Sequence, residues 1–176
     1  MALFMSIDGL DQAKLKGSAT IKKINDEEGF MKIDSINYER NRPINIRVGD
    51  ANTAQTGQVE LSDITVTRQM DGASSWIQTL FFTPRGKERN FKFVVAKTSM
   101  DGKSQVPALG IVANEGRLTS YAVSATEEER TETFTITYTS YMTTHYQEGM
   151  MGKIDELGKV GFDKKVAALT SEKVAG

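Results

Sequence analysis

Few residues in this chain have the types and spacing that chemistry requires. His145 is its one histidine, and it has no cysteine. Thiolate nucleophiles, disulfides and cysteine-based metal sites are therefore excluded, and a metal site could use one imidazole at most. No catalytic, metal-binding or cofactor-binding residue is predicted, and the chain is not expected to be an enzyme.

Two local sequences could still suggest catalysis. Gly102, Lys103 and Ser104 resemble the end of a phosphate-binding loop, but Lys97 stands where that motif requires glycine, and Pro107 opposes the helix that should follow. Glu127, Glu128 and Glu129 form the densest acidic run, but adjacent carboxylates on a turn point in different directions. Both segments are predicted to be exposed turns.

Composition limits the classes of function. The 176 residues fit one domain with a sizeable core, and the net charge of −1 does not favour nucleic acid. No apolar run approaches the roughly 20 residues of a membrane helix, and the N-terminus does not read as a signal peptide. We therefore expect no nucleic-acid partner and no membrane insertion.

The segment Thr131–Gln147 is predicted to be one long β-strand with a threonine face. Threonines alternate with apolar residues along it, and strand side chains alternate between two faces. Its apolar face would pack on a core, while its hydroxyl face would line a cavity, a channel or a partner surface, or be an ordinary solvated face. The candidate lining residues are Thr133, Thr135, Thr137 and Thr139.

The other elements support a mainly-β fold. Further strands are predicted at Leu3–Ile7, Ala19–Ile24, Phe30–Glu39, Gln58–Arg68, Asn90–Lys97, Leu109–Ala113 and Arg117–Ser124. Parity switches in the apolar residues predict irregularities near Asp34 and between Leu61 and Ile64. One short helix is predicted over Ser74–Phe82, capped by Asp71, Ser74 or Ser75 and docked through Trp76.

The segment Asn41–Thr56 is predicted to be a long loop that could form a protruding hairpin arm. Ile44, Ile46 and Val48 alternate with polar residues in it. We predict a mainly-β fold, a compact β-barrel of two antiparallel sheets with one flanking helix, over residues 1–147. Residues 148–176 are predicted to be a tail that packs on the barrel or is partly mobile.

Several segments in order resemble the haemolysin-coregulated protein (Hcp) family, which forms the inner tube of bacterial type VI secretion systems. The resemblance is carried by Phe4–Gly9, Met31–Tyr38, Gly57–Val59, Asp63–Arg68, Met70–Ile77, Leu118–Tyr121, Thr131–Phe134, Tyr146 and Gly158–Lys164. Among its departures from the family pattern, Ser75 replaces a frequent proline and Met150–Leu157 has no clear counterpart.

The resemblance implies a structural subunit of six-membered rings that stack into a tube carrying effectors. It also implies spike and sheath proteins as partners, and a bacterial cytoplasmic location followed by secretion through the type VI system. The arm would supply interface residues Arg42, Ile44, Ile46, Arg47 and Val48, and the threonine face would line the lumen. A contractile-phage tail tube and a monomeric ligand-binding β-barrel, using Tyr138, Tyr141 and Tyr146, remain alternatives.

Overall fold

A computed structural model of the protein describes residues 1–10, 17–21, 23–24, 26–46, 54–83, 88–150 and 152–170. Across these residues the chain forms antiparallel β-strands and one α-helix, which confirms the predicted mainly-β class. The strands are β1 (Ala2–Ile7), β2 (Lys23–Ile24), β3 (Glu27–Glu28), β4 (Met31–Ile33), β5 (Ser35–Asn37), β6 (Arg40–Asn41), β7 (Ile44–Ile46), β8 (Ala54–Thr56), β9 (Glu60–Leu61), β10 (Ile64–Gln69), β11 (Arg89–Thr98), β12 (Gln105–Ala125), β13 (Arg130–Thr137), β14 (Ser140–Glu148), β15 (Ile154–Asp163) and β16 (Ala168–Leu169). The helix α1 spans Ser74–Phe82.

Two series of paired strands lie around the core and share the strand β12. One series of neighbours is β16, β15, β14, β12, β11, β1 and β4, and a second is β12, β13, β10 and β5. Only Asp34 separates β4 from β5, and its backbone N–H donates to the Thr67 carbonyl at 2.9 Å. The two series are thus joined at both ends, through β12 and through the bend at Asp34.

Strand β12 is longer than the sequence suggested. Two strands were predicted at Leu109–Ala113 and Arg117–Ser124, but one strand of 21 residues covers both. Its first half pairs with β11 and β14, and its second half pairs with β13. The direction changes at Glu115, whose φ is +50°. At Gly116 a Cβ would lie 2.5 Å from the Phe91 ring, so only glycine fits this bend.

The prediction of one long strand over Thr131–Gln147 is wrong. Strand β13 ends at Thr137 and β14 begins at Ser140. The two strands have different partners, since β13 lies between β10 and β12, whereas β14 lies between β12 and β15. Tyr138 and Tyr141 are both buried although they are three residues apart. An unbroken strand would turn these two side chains to opposite faces.

The predicted parity switches mark real interruptions. The expected strand at Phe30–Glu39 is divided into β4 and β5 at Asp34, and the one at Gln58–Arg68 into β9 and β10. The strand expected at Ala19–Ile24 is reduced to β2, which pairs with β3. At each interruption the chain changes its pairing partner, which is the physical reason for the change of face.

The core lies inside the pairing circuit. Its fully or nearly buried apolar residues are Met5, Ile7, Met31, Ile33, Ile64, Val66, Ile77, Phe91, Phe93, Ile111, Ala113, Phe134, Ile136, Tyr138 and Tyr141. Helix α1 has the predicted bounds, and its Trp76 and Leu80 pack partly buried against this cluster. A smaller cluster, Phe4, Ile24, Phe30 and Ala96, lies on the opposite face of β1 and β11.

The helix N-terminus differs from the predicted side-chain cap. Ala73 occupies the capping position and supplies no side-chain hydrogen bond. Asp71 instead accepts from the Ala73 N–H at 2.9 Å, and the Ser74 hydroxyl accepts from the Asp71 N–H at 3.0 Å. The three predicted capping residues therefore lie at the helix start, but Ala73 and not one of them occupies the capping position.

The last described part of the chain contains an extended strand. Strand β15 pairs with the whole of β14, from Ser140 opposite Asp163 to Glu148 opposite Ile154. Most of its side chains are exposed, so it lacks the apolar alternation by which strands are recognised. The division of the chain at residue 148 stays a prediction.

Candidate functional site

The threonine face exists, but it is shorter than the sequence suggested. Thr133, Thr135 and Thr137 are half-buried on one face of β13, between the buried Glu132, Phe134 and Ile136. Thr139 lies beyond the strand, where its hydroxyl donates to Glu115 Oε2 at 2.8 Å. The structure therefore keeps three of the four candidate lining residues on one face and places the fourth at the break.

The face continues across three neighbouring strands, which the sequence alone did not reveal. In antiparallel register, Thr65 and Thr67 of β10 lie opposite Thr135 and Thr133. Ser120, Ala122 and Ser124 extend it on β12, Ser35 and Asn37 extend it on β5, and Gln69 lies opposite Thr131. The hydroxyl face, as we call this set of twelve residues with Thr137, has no charged member, and Arg117, which pairs with Thr137, lies at its edge. Residues paired directly across a sheet share a face, and this relationship links residues distant in sequence.

Hydrogen bonds hold parts of the hydroxyl face in place. The Thr67 and Thr133 hydroxyl oxygens are 3.1 Å apart, and the Thr119 hydroxyl donates to the Thr135 carbonyl at 3.3 Å. Side chains that bond to each other across strands present fewer free polar groups to a passing molecule. The Thr67 and Thr133 hydroxyls are therefore bonded to each other within an uncharged set of side chains.

Charges appear at the margin of this face as ion pairs. Arg117, which lies opposite Thr137, donates to Glu88 Oε1 at 2.8 Å. Lys165 lies 2.5 Å from Glu115 Oε2, and hydrogen bonds from Lys165 and then Thr139 lower the pKa of Glu115. These exposed pairs neutralise the margin without adding much stability, since exposed salt bridges contribute about 0–1 kcal/mol.

Two of the candidate interface residues, Ile44 and Ile46, lie on the paired strand β7. Strands β7 and β8 pair with Ile44 opposite Thr56 and Ile46 opposite Ala54, which supports the predicted arm. Arg42 is exposed, and Ile44 exposes 57 % of its surface. The backbone of Ile46 is in β7, while its side chain, together with Arg47 and Val48, lies outside the described residues.

A buried ionic network near the helix start was missed by the sequence reasoning. Arg68 Nη1 lies 2.6 Å from Glu132 Oε1, and Arg68 Nη2 lies 2.6 Å from Asp71 Oδ1. The Ser74 hydroxyl donates to Glu132 Oε1 at 2.9 Å, and the Tyr121 hydroxyl donates to Glu132 Oε2. Each charged group thus has several partners, which is the condition for burying ions at tolerable cost.

The network changes the pKa values of two of its members. Burial alone would raise the pKa of Asp71, but hydrogen bonds from the Ser18 N–H, Arg68 and the Ala73 N–H lower it overall. Burial and the hydrogen bond to Glu132 raise the pKa of Tyr121 to about 12. Asp71 is therefore ionised and Tyr121 neutral at physiological pH.

The side chains give no support to a catalytic centre. Among the described ranges, no group of three or more histidine, cysteine or acidic side chains is placed to hold a metal ion. His145 is exposed on β14, as expected of a surface histidine. In the same ranges, no helix has the length and hydropathy that crossing a membrane requires.

The comparisons agree on one family. The family described as "Type VI secretion system effector, Hcp" matches residues 4–145. No curated protein sequence matches the chain.

Solved structures share the fold at low sequence identity. A type six secretion system protein is 14 % identical, with a TM-score of 0.74 over 96 % of this chain and 98 % of its own. Hcp1 from Salmonella typhimurium is also 14 % identical, with a TM-score of 0.64 over 94 % of this chain and 97 % of its own.

A more distant match is the baseplate of the anti-feeding prophage, which is 8 % identical with a TM-score of 0.50, over 81 % of this chain and 91 % of that one. The family match spans most of the chain, and the pairing circuit gives it a structural basis. The chain therefore belongs to the Hcp family of type VI secretion system proteins.

Proposed function

We propose that this protein is the structural subunit of a type VI secretion inner tube, in which six copies form a ring and rings stack. The observation that carries the proposal is the uncharged hydroxyl face, continuous over β5, β10, β13 and β12 in a chain of the Hcp family. The action is mechanical: contraction of a sheath drives the tube, with effectors in it, into a target cell.

A neutral hydroxyl face suits the wall of a lumen. Thr133, Thr135 and Thr137 would line it with their neighbours on β10 and β12. Charged rings would bind oppositely charged cargo strongly, because few ions screen charges in a narrow space. A face that offers weak hydrogen bonds allows effectors to be held and then released.

The arm would contact a neighbouring subunit within the ring. Ile44 is more than half exposed in the monomer, and burying such a side chain contributes about 1.5–3 kcal/mol. Arg42, Ile44, Ile46, Arg47 and Val48 are the proposed interface residues. Head-to-tail contacts of this kind close into a ring when the rotation from one copy to the next completes a full turn after a whole number of copies.

The proposal specifies partners and location. The partners are further copies of this chain, effectors in the lumen, and the spike and sheath proteins of the same machine, with no nucleic acid and no membrane insertion. The protein would be made in the bacterial cytoplasm and secreted through the machine. It would have no enzymatic activity and no cofactor.

A tail tube of a contractile phage-like particle is the second candidate, and the fold shared with the anti-feeding prophage baseplate supports it. Copurification would separate the two candidates, since type VI and phage-like sheaths and spikes are different proteins. The ligand-binding barrel loses its main support because Tyr138 and Tyr141 are buried in the core.

Negative-stain electron microscopy with light scattering tests the proposal directly. Six-fold rings with an open centre, at a mass of six subunits, are expected. A monomer over a wide range of protein concentrations would contradict the tube function.

A further inference from the structure

An open cavity containing two arginines lies beyond the end of β13. It has a volume of about 470 Å³ and is lined by residues that include Arg40, Arg42, Val59, Tyr141, Phe162 and Leu169. The Arg40 guanidinium carbon is 4.8 Å from the centre of the Tyr141 ring and 5.2 Å from that of Tyr38. Arg40 Nη2 also donates to the Tyr38 hydroxyl at 3.2 Å, so this cation is held in a defined position.

The two arginines of this cavity form no ion pair within the described part of the chain. Neither Arg40 nor Arg42 forms an ion pair with any described carboxylate, and both residues are exposed. Asp63, which is close by, interacts with Lys164 at 3.9 Å. A guanidinium has a planar set of donors that matches a carboxylate, and apolar walls strengthen such a contact by excluding water. The cavity therefore fits the carboxylates of a protein partner.

Unpaired carboxylates occur in the turn between β12 and β13. Glu127, Glu128 and Glu129 are all exposed, and none forms an ion pair with a described residue. The Thr126 N–H donates to the Glu129 carbonyl at 2.8 Å, and the Glu129 N–H donates to the Thr126 hydroxyl at 3.0 Å. The turn thus presents its acidic side chains from a constrained backbone, which reduces the entropy lost on binding.

The acidic turn and the arginine cavity lie at opposite ends of β13. The turn directly precedes Arg130, whereas Tyr141, which follows the strand end, lines the cavity. The eight residues of β13 span about 26 Å at roughly 3.3 Å per residue. One molecule therefore cannot bring its own turn into its own cavity, but two copies arranged end to end can do so.

We propose that the acidic turn of one copy binds in the arginine cavity of the next copy along the stack. The inference rests on the proposed tube function and identifies the contact that joins successive rings. In this arrangement β13, which carries the hydroxyl face, runs along the tube, and its two ends meet the copies above and below. Surfaces of opposite charge at opposite ends of a subunit produce a head-to-tail polymer with one polarity.

Charge reversal and its rescue test the contact. Arg40→Glu, and separately Glu127→Arg with Glu128→Arg, should leave six-fold rings intact but raise the protein concentration needed for stacking by at least about tenfold. A variant with all three changes restores opposite charges and should restore stacking. Lys103→Glu is the matched control, since it makes the same change of charge on an exposed turn and should have no effect.

The measurements are ring counts and stack lengths by electron microscopy, with sedimentation at low and high salt. Because salt screens exposed charges, wild-type stacks should dissociate as salt rises. A wild-type protein without rings contradicts the proposed function itself. Wild-type rings that never stack contradict the stacking part of the proposed function together with the contact. Charge reversals without effect on stacking, charge reversals that abolish the rings, or a loss of stacking that the triple variant does not rescue each overturn only the proposed contact.

Discussion

Arg68 and Glu132 lie directly opposite each other on β10 and β13, on the face that packs into the core. Their side chains expose 1 % and 0 % of their surface, and they form an ion pair of 2.6 Å. Glu132 also accepts hydrogen bonds from Ser74 at the start of α1 and from Tyr121 on β12. The buried carboxylate of Glu132 on β13 therefore connects helix α1 with β10 and β12, the two strands that flank β13.

Removing one partner of this pair should destabilise the fold strongly. In Arg68→Met the Glu132 carboxylate would stay buried without its cation, and such losses cost about 3–5 kcal/mol. Chemical denaturation should report this change in the free energy of unfolding. Lys23→Met is the matched control, because its ion pair with Glu28 is exposed and should contribute less than about 1 kcal/mol. Equal losses in the two variants would contradict the structural role of the buried pair.

Asp71 should make the stability dependent on pH in acid. Hydrogen bonds from the Ser18 N–H, Arg68 and the Ala73 N–H lower the pKa of Asp71 in the folded state below the ordinary value of an aspartate. The stabilisation is therefore fully present above the unfolded pKa and is lost as pH falls through the folded pKa. Urea unfolding measured from pH 7 to pH 2 should show a loss of stability below about pH 4 that is smaller in Asp71→Asn. Parallel pH profiles of the two proteins would rule out this linkage.

The sequence predicted the elements that have a simple local pattern. Helix α1 has an apolar stripe at Trp76, Ile77 and Leu80, and its bounds were predicted correctly. The bend at Asp34 was predicted because the apolar residues change face there. In both places the packing of a single element determines the pattern, so the sequence contains the information.

Other features depend on pairs of strands distant in sequence. Arg68 lies two residues from Val66, and Glu132 lies two residues from Phe134, so each charged side chain shares a strand face with a core residue. This alternation was the one signal in the sequence for a buried ion pair. The hydroxyl face could not be predicted in full either, because it depends on how β10 and β13 are aligned with each other. The break after Tyr138 could not be predicted from the sequence, because threonines continue beyond it. The change of face becomes visible only in the structure, where Tyr138 and Tyr141 are both buried.

Ile44→Asp should prevent ring formation and leave a folded monomer. The side chain is exposed in the free subunit, so a carboxylate costs little there, but it would be costly in an apolar interface. Light scattering should report a monomer, and circular dichroism an unchanged thermal midpoint. Ile46→Asp, further along the arm, should act in the same way.

Met100→Asp serves as the control for the arm variants, because Met100 is also an exposed apolar residue, at 70 %, but lies in a different turn. Rings that persist in both arm variants would remove the arm from the interface. A loss of rings in Met100→Asp as well would show that any surface charge of this type disrupts assembly.

The position of the hydroxyl face can be tested with a single thiol, since the chain has no cysteine. In Thr135→Cys the thiol would replace a half-buried hydroxyl at the middle of the face, with a change of volume small enough to preserve the strand. If the face lines the lumen of a stacked tube, small thiol reagents should label it while reagents carrying a bulky polymer should react at least about tenfold more slowly. Combining Thr135→Cys with Ile44→Asp gives the matched control, because the thiol of a monomer is open to both reagents. Equal rates with both reagents on intact tubes would place the hydroxyl face on the outside of the tube. The proposal that this face makes weak contacts with passing cargo would then also be wrong.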